Sequence, residues 1–322
     1  MRTRLISAIA FVIILAVAFV LKFYVSNYFF DVAILAVAMI ASFEASKLFT
    51  KTGKYNEKYM ALIFPCLLML TLLLGISYDS SLGIVYTIVI AVAVLIFSAF
   101  LTFLINIVFF KKSKLEIKTR KLQDITLVKF SLNKALNTMI IFIYPAFLIS
   151  FLTLINHFED MTTSFAGLSN LGGYISLFVL LFAFLVPVFT DTFAYLMGGL
   201  FGGKKIFPKI SPNKTVVGSV GGFLWCILLS VAVFFIFNAF PAMETLFIKS
   251  EITVWKIAII SGIGSIIGQA GDLLESYLKR TAGVKDSGNI MPGHGGFLDR
   301  FDSHTLVAPF IFIAFSIIFA LL

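Results

Sequence analysis

Residues 254–322 read VWKIAIISGIGSIIGQAGDLLESYLKRTAGVKDSGNIMPGHGGFLDRFDSHTLVAPFIFIAFSIIFALL. An apolar segment, about 254–275, is followed by a polar run from Ser276 to Asp302, then by a second apolar segment, about 304–322. Each apolar segment is long enough to cross a hydrocarbon core about 30 Å thick. The run between them carries Lys279, Arg280, Lys285, Asp286, His294, Asp299, Arg300 and Asp302, with a Gly-His-Gly-Gly turn from Gly293 to Gly296. Cations, carboxylates and backbone-exposing glycines together suit a metal and a phosphorylated ligand. Flanked in this way, such a site lies at a membrane surface.

The rest of the chain agrees with this reading. A hydrophobic fraction of 60%, only 13% charged residues and a mean hydropathy of +1.04 exclude an ordinary soluble domain. Apolar runs recur, and a β-barrel would show short alternating segments instead. The fold expected is all-α, a polytopic membrane protein with spans near 5–21, 28–48, 59–77, 83–110, 135–155, 172–190, 219–240, 254–275 and 304–322. It divides into residues 1–134, the first four spans with a basic linker, and 135–322, the last five with the site. The first span begins Met1-Arg2-Thr3-Arg4 and lacks a small-x-small cleavage site, so an uncleaved helix is expected. Cys66 and Cys226 fall inside apolar runs without metal-ligand spacing and read as buried thiols.

Nine spans place all but three of the 25 basic residues on one side; Lys22, Lys249 and Lys256 are the exceptions. The positive-inside rule then gives a cytoplasmic N-terminus, an outside C-terminus and cytoplasmic polar islands around 191–218 and 272–302. The net charge of +9 reports topology and contact with anionic lipid. Nucleic acid is a poor partner, because no basic patch interleaved with aromatics sits in a soluble module.

A carboxylate inside a span costs about 3 kcal/mol on insertion scales, so each is a functional candidate. Five stand in or at the ends of spans: Asp31, Glu44, Asp191, Asp272 and Glu275. Asp31 reads as interfacial, and Glu44 either pairs with Lys47 one turn on or supports the site. Ser261, Ser265, Gln269, Asp272, Ser276 and Lys279 recur at three- and four-residue spacing, which puts them on one helical face. The Ser and Gln positions read as hydrogen-bonding between helices, helped by Gly264 and Gly268; Asp272 reads as functional. Gly198 to Lys204 nearly spells a phosphate-binding loop, but Lys205 stands where Ser or Thr would hold Mg²⁺ and no strand precedes it. In the Pro-broken loop that follows, Ser211, Lys214 and Thr215 offer hydroxyls and an ammonium to phosphate oxygens.

Transfer between phosphorylated reactants needs cations on the oxygens and a metal bridging phosphates. Asp272, Asp286, Asp299 and Asp302 can supply hard oxygen ligands for Mg²⁺. Lys279, Arg280, Lys285 and Arg300 can balance charge, and Gly295 and Gly296 allow close backbone approach. His294 can donate to an oxyanion or carry a proton.

With these residues the sequence resembles the phosphatidate cytidylyltransferase, or CDP-diacylglycerol synthase, family. Ser276, Lys279, Arg280, Lys285, Asp286, Gly288, Pro292, Gly293, His294, Gly295, Gly296, Asp299, Arg300 and Asp302 match its signature in order and spacing. A second family stretch matches through Asp191, Ala194, Tyr195, Gly198, Phe201, Gly202, Lys205, Pro208, Ser211, Pro212, Lys214, Thr215 and Gly218. Val216 and Val217 replace that family's usual Trp and Glu or Gln. The resemblance implies transfer of CMP from CTP to phosphatidic acid at the cytoplasmic side of the plasma membrane, and a homodimer. It implies a metal pair with Mg²⁺ at Asp272 and Asp299, and a catalytic set of those two with Lys279, Arg280, Lys285 and His294. Lys279, Arg280 and Lys285 would clamp the triphosphate. Asp191, Ser211, Lys214, Thr215, Ser276, Asp286, Gly295, Gly296, Arg300 and Asp302 would contact substrate. A sibling enzyme for an ether-linked lipid phosphate carries the same motif. Transport predicts matching broken helices in two halves, whereas the polar groups here crowd at one end of the C-terminal half.

Overall fold

The computed structural model describes residues 2–54, 56–78, 83–109, 113, 116, 126–159, 172–291 and 295–320. Four helices come first: α1 (Arg2–Tyr24), α2 (Asn27–Lys51), α3 (Met60–Tyr78) and α4 (Gly83–Val108). Helix α5 (Leu127–Ile141) runs into a π-helical turn (Phe142–Phe147) and on to α6 (Phe151–Asn156). Pro145 lies in that turn; lacking an amide hydrogen, it cannot continue the regular ladder. Next come α7 (Gly172–Phe201), strands β1 (Lys205–Phe207) and β2 (Ser211–Thr215), and α8 (Val216–Asn238). A short α9 (Pro241–Lys249), α10 (Val254–Thr281) and α11 (Leu298–Ala320) complete the chain.

Described helical residues fall within each of the nine expected spans, and the fifth, 135–155, runs through α5, the π-helical turn and α6. Among the described residues, seven helices are long and apolar enough to cross a membrane, while Ile13–Tyr24 and Met60–Ile76 are shorter apolar stretches. Large apolar side chains such as Leu74, Ile96, Leu228 and Ile236 are exposed on the outside of the bundle, the reverse of a water-soluble surface. The chain is an all-α polytopic membrane protein.

Helix α7 is central, packing on α6, α8, α10 and α11. Its Phe178 ring meets Phe182, Phe237, Phe247 and Phe315, nearest at 4.9 Å between centroids for Phe247. Small residues let the helices near the site approach closely. A Cβ on Gly222 would lie 2.6 Å from the Thr190 carbonyl oxygen, so α8 runs almost backbone to backbone against α7. A Cβ on Gly271 would lie 2.7 Å from the Asp302 carbonyl oxygen, which presses α10 against the first turns of α11.

At the opposite end of the bundle from the site, a buried polar cluster joins the first two helices to the later ones. Lys22 Nζ donates to Asn27 Oδ1 (3.1 Å), the Asn156 carbonyl (3.1 Å) and Ser176 Oγ (3.2 Å). Asp31, in the first turns of α2, is buried in this cluster, with Oδ2 2.7 Å from His157 Nε2 and Oδ1 accepting from Asn156 Nδ2 at 2.9 Å. Cys226 is buried as expected, but Cys66 is exposed, because it faces outward from α3. Of the basic linker 111–124, only Ser113 and Glu116 are described; Glu116 and Glu57 pair with the buried Lys134 at 2.9 and 2.6 Å.

Candidate functional site

Five elements, α7, β2, the first turn of α8, α10 and α11, converge on a cavity of about 480 Å³. Helix α7 contributes Asp191, Thr192 and Tyr195, and β2 contributes Ser211, Asn213, Lys214 and Thr215. Helix α10 adds Gln269 and Asp272; α11 adds Asp299, Arg300, Asp302 and His304.

The segment expected to be a Pro-broken loop is a β-hairpin, with Lys205 opposite Thr215 and Phe207 opposite Ser211. Pro208 opens its tip, and Thr215 closes it as the N-cap of α8, its hydroxyl accepting the Gly218 amide at 3.0 Å. This capping orients β2 so that Lys214 reaches across to α10, where its ammonium lies 2.5 Å from Asp272 Oδ2. Ser276 Oγ donates to the other Asp272 oxygen at 3.3 Å.

A second cation lies one turn further along α10. Lys279 pairs with Glu275, four residues back on the same helix, and with Asp299 Oδ1 at 2.7 Å. Asp299 Oδ2 accepts the backbone amides of Ser287 (2.9 Å) and Gly296 (2.7 Å). The carboxylate is thus held by donors from α10 and from both ends of the loop before α11. Gly295, at φ +85°, turns that loop back beneath Asp299, a conformation that favours glycine.

Asp191 accepts from Ser303 Oγ at 3.0 Å, and Asp302 Oδ1 accepts the Ser303 amide at 2.6 Å. Asp191, Asp272 and Asp302 face the same space and repel one another. Among the described residues, four aspartates line one cavity, where Lys214 pairs with Asp272 and Lys279 with Asp299; so many carboxylates in one space suit a bound cation.

The expected residues divide into three groups. Asp191, Ser211, Lys214, Thr215, Asp272, Asp299, Arg300 and Asp302 line the cavity; Lys279, Ser276 and Gly296 support it from behind. Arg280, Lys285 and Asp286 are exposed and do not line the cavity. Arg280 instead ties the end of α10 to the hairpin, donating to the Ile210 carbonyl at 3.2 Å and the Val284 carbonyl at 3.3 Å. His294, with Pro292 and Gly293, lies outside the described residues. On the polar face of α10, Ser261 and Ser265 are buried between helices, Ser265 accepting from Thr190 Oγ1 at 2.9 Å. Gln269 both donates to the Ser219 carbonyl (3.3 Å) and lines the cavity. Glu275 was marked only as a costly span carboxylate and Tyr195 only by its place in the second family stretch; Asn213 was given no part in the site, and its residue type in a polar loop offers no signal that would have found it.

Lys214, Ser219 and Gln269 also form the wall of a second, apolar groove of about 480 Å³. Its other lining includes Ile206, Phe207, Val220, Phe223, Ile266 and Leu273. A polar cavity and an apolar groove therefore share one partition.

A model of the cytidylyltransferase family matches residues 3–318. The chain is 48% identical over 132 residues to a phosphatidate cytidylyltransferase of Staphylococcus saprophyticus, covering 41% of this chain and 46% of that protein. It is 41% identical over 155 residues to the Staphylococcus haemolyticus phosphatidate cytidylyltransferase, covering 47% and 55%. With that of Staphylococcus aureus strain COL it shares 46% identity over 132 residues, 41% of this chain and 46% of the relative. The chain spans about half the length of the curated relatives it matches.

Proposed function

The chain belongs to the cytidylyltransferase family, and from that premise we propose that it transfers CMP from CTP to phosphatidic acid, giving CDP-diacylglycerol and pyrophosphate. The observation that carries this reading is the cavity itself. It sets paired aspartates and ammoniums at one end of a membrane-spanning bundle, beside an apolar groove that shares Lys214 with it.

The chemistry asked of such a site is modest. A phosphatidate oxygen attacks the α-phosphorus of CTP, the new P–O bond forms, and the bond to the β-phosphate oxygen breaks with release of pyrophosphate. The attacking oxygen is already anionic, so the residues have to position two polyanions and offset their charge rather than remove a proton. Lys214 stands at the partition, where its ammonium can meet the lipid phosphate while the acyl chains lie along Phe207, Val220 and Phe223. Arg300 and Lys279 add positive charge from α11 and α10. Ser211 and Asn213 offer further donors at the mouth of the cavity.

Mg²⁺ suits this set of hard oxygen donors. Among the described residues no group of three or more acidic or histidine side chains is preassembled as a metal cage. Substrate phosphate and water would therefore have to complete the shell of a bound Mg²⁺. Asp272 and Asp299 would hold a metal pair, which when bound would neutralise and bridge phosphate oxygens. The proposal places the cavity on the cytoplasmic side of the plasma membrane, with CTP entering from water, and takes the working unit to be a homodimer.

The test is purified protein with CTP, Mg²⁺ and phosphatidic acid, following pyrophosphate. Release that depends on both the lipid and the metal is expected. No release with phosphatidic acid or with an ether-linked lipid phosphate would sink the reading, and release with the ether lipid alone would reassign the substrate.

A further inference from the structure

We propose that Glu44, on α2 in the first half of the chain, is a positioning residue for the loop and helix that carry Asp299, Arg300 and Asp302. The inference rests on the cytidylyltransferase reading of the cavity. Glu44 is 1% exposed and does not itself line the cavity. Lys47, one turn on, lies over the Phe43 ring at 4.3 Å, and the Glu44 carboxylate points across the bundle instead. Its Oε2 accepts the Leu298 amide at 2.9 Å and Ser287 Oγ at 3.2 Å.

Leu298 is the first residue of α11, and the first amides of a helix have no partner within it. A carboxylate there also complements the positive end of the helix. The cap of α11 therefore comes from a residue 254 positions earlier in the chain. Ser287 is the joint between the two carboxylates. Its hydroxyl goes to Glu44 and its backbone amide to Asp299 Oδ2, the same oxygen that takes the Gly296 amide. Glu44 thus grips both ends of the segment whose two amides aim Asp299. The fit leaves no room for side chains, since a Cβ on Gly288 or on Gly296 would collide with the Glu44 carboxylate.

The test compares full-length Glu44→Gln, Glu44→Ala and Ser287→Ala with the wild type, in detergent, with CTP and phosphatidic acid over a range of Mg²⁺ concentrations. A glutamine carbonyl oxygen can accept both hydrogen bonds, so Glu44→Gln is expected to keep kcat within about threefold. Glu44→Ala is expected to lower kcat by about 10- to 100-fold. It should also raise the Mg²⁺ concentration giving half-maximal rate, with a smaller change in KM for CTP. Ser287→Ala, which keeps the Leu298 cap, should fall between. Hydrogen exchange of peptide 285–300 in the ligand-free protein should quicken in Glu44→Ala and not in Glu44→Gln. Unchanged kcat, Mg²⁺ dependence and exchange in folded Glu44→Ala would overturn the assignment. If that variant does not fold, wild-type rates and exchange in Ser287→Ala overturn it instead. An inactive wild type defeats the cytidylyltransferase reading and leaves the exchange result standing on its own.

Discussion

Asp299 accepts from three donors at once: an ammonium on α10 and two backbone amides of the loop that precedes it. A carboxylate has about four lone-pair sites, so such a residue can be fully oriented and still offer an oxygen edge to a further cation. Its amide isostere keeps the volume, loses the charge and turns two N–H groups toward donors. Asp299→Asn is therefore expected to remain folded, eluting from size exclusion as the wild type does, while turnover falls by at least about 100-fold. Near-normal rates would remove the metal-holding role proposed for it. Asp272, Lys279 and Asp299 were legible in the sequence because helical spacing and the glycine-flanked acidic run marked them before any contact was known. Glu44 was legible as a costly span carboxylate that either pairs with Lys47 or supports the site, but not by what it holds. Its partners Ser287 and Leu298 lie more than 240 positions away, and no local pattern reports a contact of that range.

At the scale of elements, the apolar runs gave the helices well, since a span has one length and one composition to satisfy. The hairpin was not legible. Its strands hold Pro212, Asn213 and Lys214, with no apolar alternation, and it forms because the close pair α7 and α8 brings its two ends together. That pair depends on missing side chains. At Gly222 a Cβ would meet the Thr190 carbonyl at 2.6 Å, whereas at Gly199 nothing lies within 4 Å. Gly222→Leu is expected to destabilise by about 1–3 kcal/mol through overpacking, seen as a lower Tm in detergent. Turnover should fall with it, as Asp191 on α7 separates from β2. Gly199→Ala should change neither, and equal effects of the two substitutions would show that the close crossing does not organise the site.

Across the whole molecule, the two ends of the bundle carry different polar assemblies. Lys22, Asp31, Asn156, His157 and Ser176 gather at one end, and the aspartate-lined cavity lies at the other. Both draw on the first two helices, through Lys22 and Asp31 at one end and Glu44 at the other, so the N-terminal helices brace the site rather than merely precede it. The charge bias predicts that the hairpin tip faces the cytoplasm and the end of α9 faces outside. In a Cys66→Ser, Cys226→Ala background, Lys209→Cys and Lys249→Cys are expected to react with a membrane-impermeant maleimide from opposite faces. Labelling of both from one face would refute the topology.

The partition of Lys214, Ser219 and Gln269 has a consequence for what happens after bond exchange. On one side lies a polar basin and on the other a greasy channel. In the proposed reaction the two products belong to different phases: pyrophosphate is soluble only in water, and the nucleotide-bearing lipid is retained by its acyl chains. Each can depart by its own door, so the reverse reaction would need the two to be recruited again from separate reservoirs.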